Sequence, residues 1–164
     1  MGMDVYGASG NYFRRSIWGW RPLADYIVDE HTSYAQFCNY WHSNDGDGLD
    51  ADQSIWLADA MQEALEDGSA LEYIVQRNAD LARLPEETCA QCKGTGIRTD
   101  EVGIKFGWPD KIAERGPRAG QKGSCNGCGG AGTTPAWDTN YSLDVDDIVE
   151  FIDFLRKSEG FEIC

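Results

Sequence analysis

The sequence predicts an α+β protein: a small, mostly antiparallel sheet, four or five helices, and a stapled insertion near the middle of the chain. Three observations lead there. Short alternating segments at both ends read as strands. Up to five stretches between them place apolar residues at helical spacing. Residues 89–132 repeat one cysteine pattern and interrupt an otherwise acidic chain.

Asp4-Val5-Tyr6 alternates, Gly7 to Asn11 is a turn cluster, and Tyr12-Phe13 resumes a strand, so residues 2–13 are expected to form a hairpin. Ile17 to Leu23 is dense in aromatics and holds Pro22, where a helix is expected to begin, with Leu23, Tyr26 and Ile27 at helical spacing. Two readings compete for Trp18, Trp20 and Arg21. Core packing is the simpler one for the aromatics. A partner-binding patch is the other, because Trp and Arg are common interface anchors.

Thr32 or Ser33 is expected to cap a short helix carrying Tyr34, Phe37, Cys38 and Trp41 on one apolar face. Cys38 and His42, four apart, would share that face. No oxyanion site accompanies them, and His31 and His42 are not needed as metal ligands. A buried free cysteine beside a surface histidine is the expected outcome.

Ser43 to Asp52 crowds carboxylates at Asp45, Asp47, Asp50 and Asp52. Aligned as a calcium loop with Gly48 at position six, it puts Ser54 where a bidentate Glu belongs and Asp50 where an apolar residue belongs. A turn with Asp50 as N-cap and Gln53 closing a capping box explains the stretch more simply. The helix then runs from about 51 to 66 with Leu57, Met61, Ala64 and Leu65 inward, and Gly68 ends it. Ser69-Ala-Leu-Glu72 reads as a second capping box, opening a helix with Leu71, Ile74, Val75 and Ala82 inward and Pro85 as its stop. The two helices are expected to pair antiparallel, with Asp59, Glu63, Glu66, Asp67 and Glu72 outward. Near the end of the chain, Ser142-Leu143 opens a helix burying Val145, Ile148, Val149, Ile152 and Leu155. Gly160 ends it, and Phe161 to Cys164 is expected to add a strand beside the hairpin.

The cysteine pattern carries the chemistry. Cys89-Ala-Gln-Cys92-Lys-Gly94-Thr-Gly96 and Cys125-Asn-Gly-Cys128-Gly-Gly130-Ala-Gly132 both read C-x-x-C-x-G-x-G. Two C-x-x-C knuckles supply four soft thiolates, the set that zinc takes at about 2.3 Å in a closed tetrahedron. The glycines let the chain turn tightly around such an ion. Disulfides and a redox pair are the alternatives. No secretory signal opens the chain, so a reducing compartment, the cytoplasm, is expected. Redox pairs usually come singly on a βα turn. Gly127, Gly129 and Gly132 also spell G-x-G-x-x-G, yet no strand precedes them and Thr-Thr-Pro follows where a dinucleotide site needs a helix.

The paired motif resembles the cysteine-rich zinc region of DnaJ-type (Hsp40) co-chaperones, and is similar to the zinc module of small bacterial regulators of the anti-TRAP type. It covers 16 of 164 residues. A DnaJ region has four repeats, so two imply one zinc ion rather than two. A J domain would carry a His-Pro-Asp tripeptide, which is missing here. The resemblance therefore implies a zinc module rather than an activity. The Met1-Gly2-Met3-Asp4-Val5-Tyr6-Gly7 head and Trp20-Arg21-Pro22-Leu23 resemble segments of uncharacterised bacterial and phage proteins, which imply no activity either.

Between Cys92 and Cys125 stand 32 residues, beyond the roughly 15–20 of a zinc ribbon. Ile97 to Thr99 and Gly103 to Phe106 are expected to be strand-like, Gly116 to Gly123 a loop, and the excursion mobile. The chain thus reads as an acidic body, residues 1–88 and 133–164, carrying a zinc-binding insertion at 89–132.

Charge supports that division. Of the net −14, residues 1–88 hold 16 acids and 5 bases (−11), residues 89–132 hold 4 and 7 (+3), and residues 133–164 hold 8 and 2 (−6). Such a body repels phosphate backbones, so direct nucleic-acid binding is not expected outside Lys105, Phe106, Trp108 and Lys111 of the insertion. It attracts basic protein surfaces instead; plain solubility is the other reading. No apolar run reaches the roughly 20 residues of a membrane span.

The expected function is that of a small acidic intracellular zinc-binding protein, of phage or bacterial origin, that binds and modulates or inhibits another protein with a basic surface. Trp18, Trp20, Arg21, Asp59, Glu63, Glu66 and Trp108 are its partner-binding candidates. A DnaJ-like chaperone or thiol factor is one alternative. The other is an enzyme using carboxylates of the 45–52 loop, with Trp20 and Arg21 lining a pocket; no catalytic set stands out to support it.

Overall fold

A computed structural model describes residues 2–164 of the protein. The elements run β1 (Gly2–Gly7), β2 (Tyr12–Ser16), α1 (Ile17–Glu30), α2 (Thr32–Ala35), β3 (Asp47–Asp50), α3 (Ala51–Asp67) and α4 (Ser69–Ala82). They continue as β4 (Glu87–Thr88), α5 (Glu101–Lys105), β5 (Thr133–Thr134), α6 (Val145–Ser158) and β6 (Gly160–Ile163). Two units result: Met1–Ala82 with Asn140–Cys164, and Arg83–Thr139. The architecture is α+β, with small antiparallel sheets and six helices, two of them about one turn long.

The first unit is organised by one antiparallel sheet in the order β2-β1-β6-β3. The expected hairpin and the closing strand are both there, Val5 standing opposite Phe13 on one side and Ile163 on the other. Alternation sorts the faces. Met3, Val5, Phe13, Leu49, Phe161 and Ile163 are buried, whereas Tyr6, Tyr12, Arg14 and Glu162 are exposed. Helices α1, α3 and α6 supply the other half of the core, chiefly Trp20, Tyr26, Ile27, Leu57, Met61, Ile148, Phe151 and Leu155, all fully buried. Phe13, Trp20, Trp41, Phe151, Phe154 and Phe161 form a continuous aromatic cluster, with neighbouring rings 5.2–6.4 Å apart.

Several local expectations are corrected. Helix α1 begins at Ile17, capped by Ser16, whose hydroxyl accepts from the Gly19 amide at 3.4 Å. Pro22 lies inside it and merely withholds the amide that the Trp18 carbonyl would have received. The helix expected through Trp41 stops at Ala35. Trp41 nevertheless reaches the core, its indole donating to the Ala35 carbonyl at 2.9 Å, while Phe37 points outward. Cys38 is buried and His42 exposed, so they share no helical face.

Helix α3 matches its expectation: the Asp50–Gln53 capping box is formed and Gly68 closes it with φ 89°. Helix α4 is rotated from the expected phase. Ala70 and Ile74 face inward, whereas Leu71 and Val75 are more than half exposed and Ala82 is exposed. Ser69 belongs to the helix instead of capping it, and its amide is taken by the Asp67 carboxylate at 2.8 Å. In α6 the cap is Asp144, not Ser142; the Asp144 amide donates to Asp147 at 3.2 Å. Val145 and Val149 lie on its exposed side, and Glu159, one residue before Gly160, takes the left-handed closing position with φ 53°.

A buried histidine borders this core. His31 is 8% exposed and its Nε2 lies 3.0 Å from the Tyr26 hydroxyl. Burial lowers its pKa below the ordinary imidazole value. The unfolded chain therefore takes up this proton first as pH falls through about 6.5, and the folded state loses stability on that side. Thermal melts at pH 7.5 and 5.5 are expected to differ less for His31→Gln than for the natural chain.

Candidate metal centre

The unit Arg83–Thr139 has almost no apolar core. Its buried side chains are chiefly Cys89, Cys92, Cys125 and Cys128, with Ala113, Ser124 and Ala136. Val102, Ile104, Phe106 and Ile112 are exposed instead. Strands β4 and β5 pair antiparallel, Glu87 with Thr134 and Thr88 with Thr133. That pairing delivers Cys89 to the end of the second knuckle, where its amide donates to the Gly132 carbonyl at 2.9 Å.

The two knuckles build the same local structure. In each, the amide of the seventh residue donates to the carbonyl of the second cysteine: Thr95 to Cys92 at 3.1 Å, Ala131 to Cys128 at 3.2 Å. The amide of the last glycine donates to that cysteine's sulfur: Gly96 at 3.3 Å, Gly132 at 3.2 Å. Such bonds favour the thiolate form. The last glycine of each knuckle also rests on the other knuckle. A Cβ at Gly132 would lie 2.5 Å from the Gly94 carbonyl oxygen, and one at Gly96 would overlap that of Gly130. Gly132 has φ 85° as well. Gly132→Ala is expected to weaken metal binding at least about fivefold, since the left-handed backbone alone costs about 1–2 kcal/mol. Gly107→Ala, also left-handed but with open space around its Cβ, separates backbone strain from overlap when both are titrated against a chelator.

The four sulfurs lie within 4.8 Å of one another. Cys89 and Cys125 are 3.9 Å apart, and Cys92 and Cys128 3.7 Å. A disulfide needs about 2.05 Å. A tetrahedron with arms of about 2.3 Å has edges of about 3.8 Å. The cluster therefore fits a single metal ion held by four sulfurs. Burial pushes the Cys125 thiol up to about 12, against the amides of Gly127 and Cys128. Ligation takes the thiolate form, so metal uptake releases protons and tightens as pH rises.

The stretch between the knuckles folds back on them. Gly103 to Lys105 are helical in α5 instead of extended, because the Asp100 carboxylate caps the Gly103 amide at 2.7 Å. Further along, Gly123 donates to Lys111 at 2.8 Å, Ser124 to Trp108 at 3.0 Å, and Ala113 to Gln121 at 2.9 Å. Both Glu114 and Arg115 donate to the Gly129 carbonyl, at 2.7 and 3.0 Å.

Of the partner-binding candidates in the first unit, Trp18 and Arg21 meet at the ring of Tyr141. Trp20 is corrected outright: it is fully buried and its indole donates to the Trp41 carbonyl at 2.6 Å, so it can line neither a pocket nor a binding surface. Trp18 is half-buried against Tyr141, ring centroids 4.8 Å apart, and the exposed Arg21 lies over the same ring at 5.8 Å. Asp59 is exposed and pairs with Arg156 at 3.4 Å; Glu63 is exposed, and Glu66 accepts from Gln62 at 2.9 Å. Trp108 belongs to the other unit, half-buried beneath the Lys111 ammonium, which sits 3.6 Å from its ring centroid.

The carboxylates of the 45–52 loop are committed locally. Asp47 accepts from the Asn39 amide at 2.5 Å and from its neighbour Gly48 at 2.9 Å, Asp45 accepts from Ser43 at 2.5 Å, and Asp50 caps α3. They do not converge with Trp20 and Arg21 in a cleft. Cys38 is an inert thiol, pushed up to about 11 by burial. What sequence reasoning missed around the metal centre is Arg98, which no spacing pattern marks.

No protein-family profile, curated protein or solved structure matches the chain. Among the described residues no helix is long and apolar enough to cross a membrane. Fold and site define an α+β protein with a cluster of four cysteines that could hold a metal ion.

Proposed function

We propose that Cys89, Cys92, Cys125 and Cys128 hold one structural zinc ion, and that the protein acts by binding another protein. The observation that carries this reading is the buried set of four sulfurs within 4.8 Å. Four protein ligands close a tetrahedral site and leave no position for a substrate, which marks structural zinc rather than catalytic zinc. Bound there, zinc supplies cross-linking of the two knuckles. Metal analysis of the purified protein is expected to give one zinc per chain, with Cys164 the readily titrated thiol of the folded, loaded form and all six thiols titrated after denaturation with chelator. An iron-loaded or persistently metal-free protein overturns the zinc assignment.

Binding to a basic partner is supported by charge. The unit containing Met1–Ala82 and Asn140–Cys164 holds 21 acids against 6 bases (−15), which leaves +1 on Arg83–Thr139. Glu63 and Glu66 stand exposed on α3. Double reversal to Lys at these two positions is expected to abolish salt-sensitive association with a basic partner while leaving zinc content unchanged. Equal binding by the reversed variant removes this face from the proposal. A chaperone-like role is the second reading, supported by the exposed Val102, Ile104, Phe106 and Ile112. Suppression of the aggregation of a reduced client distinguishes it.

A further inference from the structure

Arg98 lies outside both octapeptides, yet its guanidinium reaches both. Nη1 donates to Gln91 Oε1 at 3.0 Å and to Asn126 Oδ1 at 2.9 Å. Gln91 is the third residue of the first knuckle and Asn126 the second residue of the other. From the opposite side Asp100 grips the guanidinium with both oxygens, Nε to Oδ1 at 2.8 Å and Nη2 to Oδ2 at 3.0 Å. Asp100 is itself fixed as the cap of α5. The Arg98 amide donates to the Ser124 carbonyl at 3.0 Å, one residue before Cys125. The side chain is only 14% exposed. Gly103 makes room for it, since a Cβ there would meet Arg98 Cγ at 2.7 Å.

A two-knuckle centre has a general difficulty. Each knuckle forms locally, but bringing them face to face across 32 residues opposes chain entropy. A planar guanidinium with five donors in a fixed fork can bridge two acceptors while a carboxylate holds its plane; an ammonium cannot.

We infer that Arg98 is a positioning residue that ties the two knuckles to each other, so that even in the loosened metal-free segment the cysteines of one knuckle meet those of the other, and the bound ion leaves slowly. The inference rests on the zinc reading only for the identity of that ion.

The test has a loaded arm and a metal-free arm, both on the full chain. In the first, zinc transfer to excess chelator is timed. Outer residues of this kind typically change metal affinity 10–100-fold, so Arg98→Ala is expected to release zinc about tenfold faster. Arg98→Lys is expected not to rescue it, and Asn126→Ala is expected to add nothing on top of Arg98→Ala. The cobalt-substituted spectrum should stay that of a tetrahedral tetrathiolate, which places the effect outside the ligands. In the second arm, the metal-free protein is oxidised with diamide and its disulfides are mapped. The natural chain is expected to form Cys89–Cys125 and Cys92–Cys128 links, whereas Arg98→Ala shifts toward Cys89–Cys92 and Cys125–Cys128. If Arg98→Ala fails to fold, Gln91→Ala and Asn126→Ala carry both arms. Release within about twofold of the natural chain, or an unchanged disulfide pattern, overturns the role of Arg98. A natural chain that binds no zinc overturns the zinc reading instead, and the second arm still decides on Arg98.

Discussion

Chelation of the metal-loaded protein is expected to loosen Arg83–Thr139 and open it to protease, with the Arg98 bridge bringing the knuckles together only transiently, while the sheet-containing unit keeps its cooperative melt. The physical reason lies in what each unit buries. One has a core of helices and strands with Trp20, Tyr26, Phe151 and about twenty other apolar side chains. The other buries four cysteines and little else, with only Ala131 packed against them. Fewer than about 60 residues without an apolar core hold a fold only marginally, and in such modules metal-binding free energy is folding free energy, on the order of 10–16 kcal/mol in zinc-finger peptides. Limited trypsin digestion is the direct readout. After chelation, cleavage should appear at basic residues between Lys93 and Lys122, and added zinc should suppress it. Cys125→Ser, which removes a fully buried ligand, is expected to show the same digest even in excess zinc. A pattern indifferent to chelator would mean that the knuckles hold themselves together without an ion.

Trp20→Ala is expected to destabilise the first unit by about 3–5 kcal/mol, the range for removing a buried large aromatic. Trp20 touches the core from three sides, with Phe13 and Trp41 at 6.4 Å and Phe151 at 5.7 Å between ring centroids. Its indole also satisfies the Trp41 carbonyl, and an acceptor left unpaired in that setting adds to the loss. Zinc content should not change. Arg21→Ala, one residue away but exposed, is expected to cost about 0.5 kcal/mol or less. Denaturant unfolding followed by tryptophan fluorescence measures both, and a Trp20→Ala loss below about 1 kcal/mol would contradict its burial in the core.

Those two neighbours show where sequence reading stops. Trp20 and Arg21 look like one aromatic–basic patch in the linear chain, but the pitch of α1 sends one into the core and the other to solvent. Helix α4 makes the same point. Its most apolar stripe, through Leu71 and Val75, stays outside because the turn at Gly68 docks Ala70 and Ile74 on the core. Binary pattern reports that a helix is amphipathic; the connecting turn and the neighbour's shape choose its rotation.

Strand alternation at Asp4-Val5-Tyr6 and Phe161-Glu162-Ile163, the Asp50–Gln53 box and Gly68 were legible because each rests on interactions within a few residues. The sequence by itself also marked the four cysteines that could hold a metal ion. Two C-x-x-C-x-G-x-G copies specify both the donor atoms and the backbone that aims them, so Cys89, Cys92, Cys125 and Cys128 needed no tertiary information. Only the tertiary structure decided that Trp20 is core, that Asp47 accepts from the backbone amides of Asn39 and Gly48, and that Arg98 spans both knuckles. Those facts depend on contacts between residues far apart in the chain, as Arg98 and Asn126 are, and such pairings leave no periodic or local trace in a single sequence.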